Sequence, residues 1–126
     1  MPIAGIGIDI VHIERMKHSW EKHGDAFLEK SFTESEINTC KSNKRAAEMF
    51  AARFAAKEAV MKALGKGMFQ GVHFKDIEIL GGMDSKPEVK LHGEVKTLAE
   101  KRNIANIFVS MTHEKDYAAA VAVVET

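Results

Sequence analysis

Two carboxylates, Asp9 and Glu58, are the residues of this chain best suited to chemistry, because each sits among neighbours too small to explain it. Asp9 ends the run Gly5-Ile6-Gly7-Ile8-Asp9. Two-residue strand periodicity puts Ile6, Ile8 and Ile10 on one face and Asp9 with Gly5 and Gly7 on the other. That second face lacks side-chain bulk and lets another element approach closely. Glu58 lies in an alanine-rich helical run. At 100° per residue, Ala47, Ala51, Phe54, Glu58 and Gly65 fall within about 40° of one direction, with Lys62 a turn further along. A carboxylate on such a stripe needs a partner to offset its desolvation. One reading is an i,i+4 ion pair of Glu58 with Lys62 at the core edge, contributing a few tenths of a kcal/mol. The other is a hard cation: two carboxylates flanked by Arg53, Lys62 and Lys66 suit Mg²⁺, which keeps several waters and takes phosphate oxygens to complete its shell.

Other motifs are weaker. Gly-Ile-Gly-Ile-Asp is no dinucleotide fingerprint, because Ile10 occupies the place of the third glycine. A two-lobed, actin-like nucleotide fold cannot be built from 126 residues. The six histidines (12, 18, 23, 73, 92 and 113) show no zinc-ligand spacing. His113, following Ser110-Met111-Thr112 at a hairpin tip, is the one retained as a candidate. Cys40 has no base or helix N-terminus paired with it in sequence and reads as inert. Trp20, Met49 and Met61 read as packing residues.

These residues must be carried by a single domain. The chain is 45% hydrophobic and 29% charged, with two prolines, which excludes disordered, collagen-like and disulfide-scaffold classes. One cysteine excludes an internal disulfide and points to a reducing, cytoplasmic setting, and no stretch approaches the ~20 apolar residues of a membrane span. Lysine and arginine total 18, as do aspartate and glutamate. The balance is local rather than uniform: residues 41–66 hold seven bases (41, 44, 45, 53, 57, 62 and 66) against Glu48 and Glu58. Such a segment suits an anionic ligand or an acidic protein; without interleaved aromatics it does not suit nucleic acid.

Periodicity and punctuation predict a strand over 3–11 and short helices over 12–23 and 25–30. Thr33 with Glu36 forms a capping box opening a helix to about Cys40. The clearest element is a helix over 44–64, stopped by Gly65. A glycine loop follows at Gly65-Lys66-Gly67 and Gly71. Strands over 73–80 and 87–92 flank a turn, a charged helix covers 93–102, and strands over 104–112 and 117–124 make a terminal hairpin. The fold class is α+β, one domain over 1–126, with a long central helix packed on a mainly antiparallel sheet.

Taken in order, Gly5-Ile6-Gly7-Ile8-Asp9-Ile10, Arg53-Phe54-Ala55-Ala56-Lys57-Glu58-Ala59 with Lys62-Ala63 and Gly65, and Ser110-Met111-Thr112-His113 resemble the holo-[acyl-carrier-protein] synthases. These are the short, single-domain 4′-phosphopantetheinyl transferases. The resemblance implies a reaction in which a serine of apo-acyl carrier protein attacks the β-phosphorus of coenzyme A. The products are the pantetheinylated carrier, used in fatty acid biosynthesis, and adenosine 3′,5′-bisphosphate. It also implies Asp9 and Glu58 as Mg²⁺ ligands, with Lys62 contacting the pyrophosphate or assisting proton transfer. Arg53, Gly65, Lys86, Pro87, Ser110 and His113 match cofactor-binding positions. Arg15, Lys44 and Arg45 match the basic surface that meets the carrier. The family is similar in forming homotrimers with active sites between subunits. One turn departs from the family's Asn-Gly-Lys-Pro, reading Asp84-Ser85-Lys86-Pro87 here. Two other classes remain to be weighed: a non-catalytic module binding acidic partners through residues 41–66, and a small nucleotide hydrolase acting without a carrier.

Overall fold

The computed structural model describes residues 2–65, 73–82 and 85–126. The expected glycine loop at Lys66, Gly67 and Gly71, and Asp84 of the departing turn, lie outside the described residues. The elements run β1 (Ile3–His12), α1 (Ile13–His23), α2 (Asp25–Ser31), α3 (Glu34–Cys40), α4 (Ala46–Leu64), a 3₁₀ turn (Phe74–Asp76), β2 (Ile77–Leu80), β3 (Glu88–Leu91), α5 (Gly93–Lys101), β4 (Asn106–Glu114) and β5 (Tyr117–Glu125). The expected α+β fold and terminal hairpin are both present, but β4 runs on to Glu114, so His113 lies within the strand rather than at the hairpin tip.

The three long strands make one antiparallel sheet in the order β1-β5-β4, and β2 with β3 makes a separate hairpin. Helix α4 is the centre of the molecule: 14 of its 19 residues are buried. A helix that is apolar on nearly every side must be surrounded. The sheet covers one side of α4, while α1, α2 and α3 cover its first half and β2 and α5 its second half.

The seating of α4 on β1 depends on two glycines. A Cβ at Gly5 would overlap the carbonyl oxygen of Ala63, and one at Gly7 that of Ala59. Helix backbone thus meets strand backbone directly, as the bare face of β1 anticipates. The helix face making this contact is the Ala59–Ala63 row, offset from the predicted Ala47–Ala51–Phe54–Glu58 stripe. Ala51 of that stripe is buried, but Phe54 and Glu58 are only partly covered.

Residues 73–80 are not one strand. Phe74–Asp76 coils into a 3₁₀ turn, leaving a strand of four residues. Tertiary contacts hold this turn: the Phe74 carbonyl accepts from Lys57, the Asp76 carbonyl accepts from the His92 amide, and the Asp76 carboxylate lies against Gly93 at the start of α5. Helix α4 also begins two residues later than predicted, after Asn43 accepts a hydrogen bond from the Arg45 amide. The capping box of α3 forms as read, with both reciprocal bonds made.

Candidate active site

Strand β1 points Asp9 inward beyond the glycines, and α4 turns Glu58 and Lys62 toward it. Lys62 Nζ lies 3.0 Å from Asp9 Oδ1 and 3.0 Å from the Ile8 carbonyl oxygen. Glu58 and Asp9 are within hydrogen-bonding reach of each other. Partial burial first, and then the Asp9 carboxylate, raise the Glu58 carboxyl above its ordinary range, while Lys62 pulls it back. The predicted i,i+4 Glu–Lys pair is therefore a three-member cluster, in which the formal ion pair runs from Lys62 to Asp9. Two carboxylates pressed together with one exposed ammonium form a site of excess negative charge, and a divalent cation would relieve it. Among the described residues no third carboxylate, histidine or cysteine joins them. That donor set fits an ion that draws its remaining ligands from water and phosphate rather than from protein.

A second group of candidates gathers on another flank of α4. Arg53, 140° around the helix from Glu58, is almost wholly buried and donates from Nη2 to the Gly81 carbonyl at 2.5 Å. Its Nε is buried without a partner among the described residues. Arg45, Met49, Ala52, Arg53, Gly82, Met111, Thr112 and His113 line a bay of about 370 Å³. His113 Nδ1 sits 3.2 Å from Glu48 Oε2, which orients the ring. Pro87 packs beside Gly82, and Lys86 extends over the ring of Phe108, 5.5 Å from its centroid. Three cationic or protonatable side chains around one bay, one with an unsatisfied buried N–H, suit an anion such as a phosphate.

The remaining candidates fall elsewhere. Ser110 is exposed on the outer face of β4, while Met111 and His113 point to the α4 side. Gly65 ends α4 at φ 83° and donates its amide to the Met61 and Lys62 carbonyls. The Arg102 guanidinium stands over the Cα of Gly65. Arg15 and Lys44 are exposed on α1 and just before α4. Arg45, grouped with them in sequence, lines the anion bay. Sequence reasoning missed Glu48 and Arg102, since nothing in a linear pattern pairs Glu48 with a histidine 65 residues away. Burial raises the Cys40 thiol pKa, which fits an inert residue. No helix among the described residues is long and apolar enough to cross a membrane.

The two clusters sit against opposite edge strands of the sheet, Asp9 on β1 and His113 on β4. A carboxylate pair and a separate cationic bay on one chain have the chemistry that suits a polyanionic substrate. Comparison with known proteins narrows this. The sequence profile of the 4′-phosphopantetheinyl transferase superfamily matches residues 5–122. The holo-[acyl-carrier-protein] synthase of Geobacter sp. (strain M21) is 39% identical over 123 residues, 98% of each chain. The crystal structure of that synthase from Neisseria meningitidis superposes with a TM-score of 0.89 at 34% identity, covering 99% of this chain and 100% of the other. The Helicobacter pylori synthase, solved in complex with coenzyme A, gives 0.82 at 35% identity, covering 95% and 99%. The chain belongs to the 4′-phosphopantetheinyl transferase superfamily, among its holo-[acyl-carrier-protein] synthases.

Proposed function

We propose that this transferase moves the 4′-phosphopantetheine group from coenzyme A to a serine of an apo-acyl carrier protein, with Mg²⁺ held by Asp9 and Glu58. The observation that carries this reading is the Asp9–Glu58 pair with Lys62 beside it. When bound, the ion supplies charge stabilisation for the pyrophosphate as its P–O bond breaks. The protein's own residues do the rest. Lys62, 56% exposed at its side chain, is long enough to leave Asp9 and reach a phosphate oxygen. Arg53, Arg45 and His113 hold phosphate charge on the nucleotide portion, with Glu48 fixing the imidazole and the Gly81 carbonyl fixing the guanidinium. Lys86, Pro87, Ser110 and Gly65 border the cofactor. Arg15 and Lys44 face the acidic carrier, steering its approach in a salt-sensitive way.

The working unit in this reading is a homotrimer. Ile6, Ile8 and Ile10 are 65%, 68% and 63% exposed on the outer face of the sheet, beside Phe108 and Val121. Such a contiguous apolar face marks an interaction surface. A ring in which the β1 edge of one copy meets the β4 edge of the next would let one substrate span both clusters. The product serves fatty acid biosynthesis in the cytoplasm. The test is direct: incubate the protein with coenzyme A, Mg²⁺ and apo-carrier, and weigh the carrier. A gain of one phosphopantetheine, abolished by EDTA, is expected. No gain with any divalent metal removes the reading, and coenzyme A cleavage without a carrier would favour a hydrolase instead.

A further inference from the structure

We infer that Lys57 is a positioning residue, whose ammonium fixes the rotation and axial placement of α4 and thereby holds Glu58 against Asp9 and Arg53 against the Gly81 carbonyl. This deepens the functional reading above and rests on it. Lys57 is fully buried and touches neither cluster directly. Its Nζ donates to Glu36 Oε1 at 2.7 Å, to the Phe74 carbonyl at 3.0 Å and to the Ile77 carbonyl at 2.6 Å, above the ring of Phe32. Glu36 is buried as well. Its Oε1 also accepts from the Thr33 amide at 2.8 Å, and its Oε2 accepts from the Ile79 amide at 2.9 Å. One ion pair thus ties α4 to α3, to the 3₁₀ turn and to Ile77 and Ile79 of β2.

The rest of the α4 surface explains why such a tie is needed. Against the sheet the helix offers alanines 52, 55, 56, 59 and 63, whose contacts are small and non-directional. A row of that kind permits sliding and rotation. A one-residue slip would carry Glu58 about 100° around the axis and 1.5 Å along it, away from Asp9. Hydrogen bonds are directional and resist both motions. Lys57 and Arg53, one turn apart, donate to Ile77 and Gly81, four residues apart on the antiparallel β2 segment, so α4 is keyed at two rungs. An apolar residue would fill the site without the cost of desolvating a charge. A buried ion pair adds little stability over apolar packing of the same volume, and its directional bonds give this one the means to fix a single arrangement of α4.

The test compares Lys57→Met, Glu36→Gln and Val95→Ala, the last a buried α5 residue whose side chain makes no hydrogen bond in the network and which serves as a destabilised control. For each variant, measure thermal unfolding, Mn²⁺ affinity by electron paramagnetic resonance, and kcat and KM for coenzyme A, at a temperature where the protein is folded. Expected for Lys57→Met is at least a tenfold loss of Mn²⁺ affinity and a comparable rise in KM, with Val95→Ala unchanged in both. If Lys57→Met does not fold, Glu36→Gln carries the test and is expected to shift both constants in the same direction. Wild-type Mn²⁺ affinity and KM in the folded lysine variant, or in Glu36→Gln where it carries the test, overturn the inference. So does an equal change in Val95→Ala, which would mean that any loss of stability suffices. A wild-type protein that binds no Mn²⁺ overturns the metal reading, and this inference with it.

Discussion

Replacing Glu58 with glutamine separates the catalytic cost of a carboxylate from its structural cost. Asp9 and Glu58 carry like charges within hydrogen-bonding reach. At a separation of about 4 Å, two unit charges repel by about 1 kcal/mol in water and about 4 kcal/mol at the effective dielectric of a protein surface. Glu58 stands partly in solvent and Lys62 offsets part of the repulsion, which places the net strain in the lower half of that range. Glutamine removes the charge, keeps the shape and leaves the Lys62–Asp9 pair intact. In EDTA, Glu58→Gln should therefore unfold no lower than wild type, and up to several degrees higher, since one kcal/mol is about 4 °C for a chain of this size. The same variant should lose the thermal stabilisation that Mg²⁺ gives wild type, about 1–3 kcal/mol at 10–100 times the dissociation constant. Its kcat/KM should fall by about a hundredfold or more. Differential scanning calorimetry with and without Mg²⁺, beside the carrier mass assay, reads all three quantities. A Glu58→Gln protein that melts well below wild type in EDTA would refute the reasoning, because the carboxylate would then be a stabilising group rather than a strained one.

The same pair sets a pH dependence. A carboxyl whose folded pKa lies above its unfolded value of about 4.5 binds more protons folded than unfolded, so metal-free stability falls as pH rises through that window. The Mg²⁺-induced rise in Tm should accordingly be large near pH 7.5 and fade as the pH drops toward the ordinary carboxylate range; a pH-independent rise would place the ion elsewhere. Ile8→Glu sets a charge in the middle of the exposed sheet face, where each buried isoleucine would contribute about 2 kcal/mol to association. Light scattering should report single chains in place of trimers, with transfer activity lost. Finally, Glu58→Gln and Arg45→Ala/His113→Ala are each expected to be inactive alone. Mixed and reassembled, they should recover about one quarter of wild-type activity if each site draws one cluster from each of two subunits in a ring. No recovery would confine the site to one chain.

Much of this arrangement is legible in the linear sequence because it is local. The bare inner face of β1, the Thr33–Glu36 capping box and the alanine-rich run ending at Gly65 are decided by two-residue, three-residue and helical periods, and the structure keeps all three. The breakdown of 73–80 is different. Ile77, Glu78 and Ile79 keep strand character, but Phe74–Asp76 is coiled by Lys57, His92 and Gly93, partners 16 or 17 residues distant. The second role of Glu36 is equally hidden: its capping bond is written in the sequence, and its ion pair with Lys57 is not. Helical periodicity brought Glu58 and Lys62 to one side of α4 but placed them on the packing stripe. The true seam runs one residue later, through Ala59 and Ala63, because glycine backbone rather than side chains forms the opposing surface. The resemblance assigned Asp9 and Glu58 to the metal and His113 to the cofactor, and the structure sets Asp9 and His113 on opposite edge strands of the sheet.

The missing side chains at Gly5 and Gly7 leave the gap between the first strand and the central helix set by main-chain atoms alone. Whatever width that gap has, the reach between Asp9 and Glu58 inherits it, with no bulky neighbour available to readjust. Changes at either glycine would therefore be felt first as a change in grip on the ion, and the most featureless stretch of the protein acts as the gauge block of its chemistry.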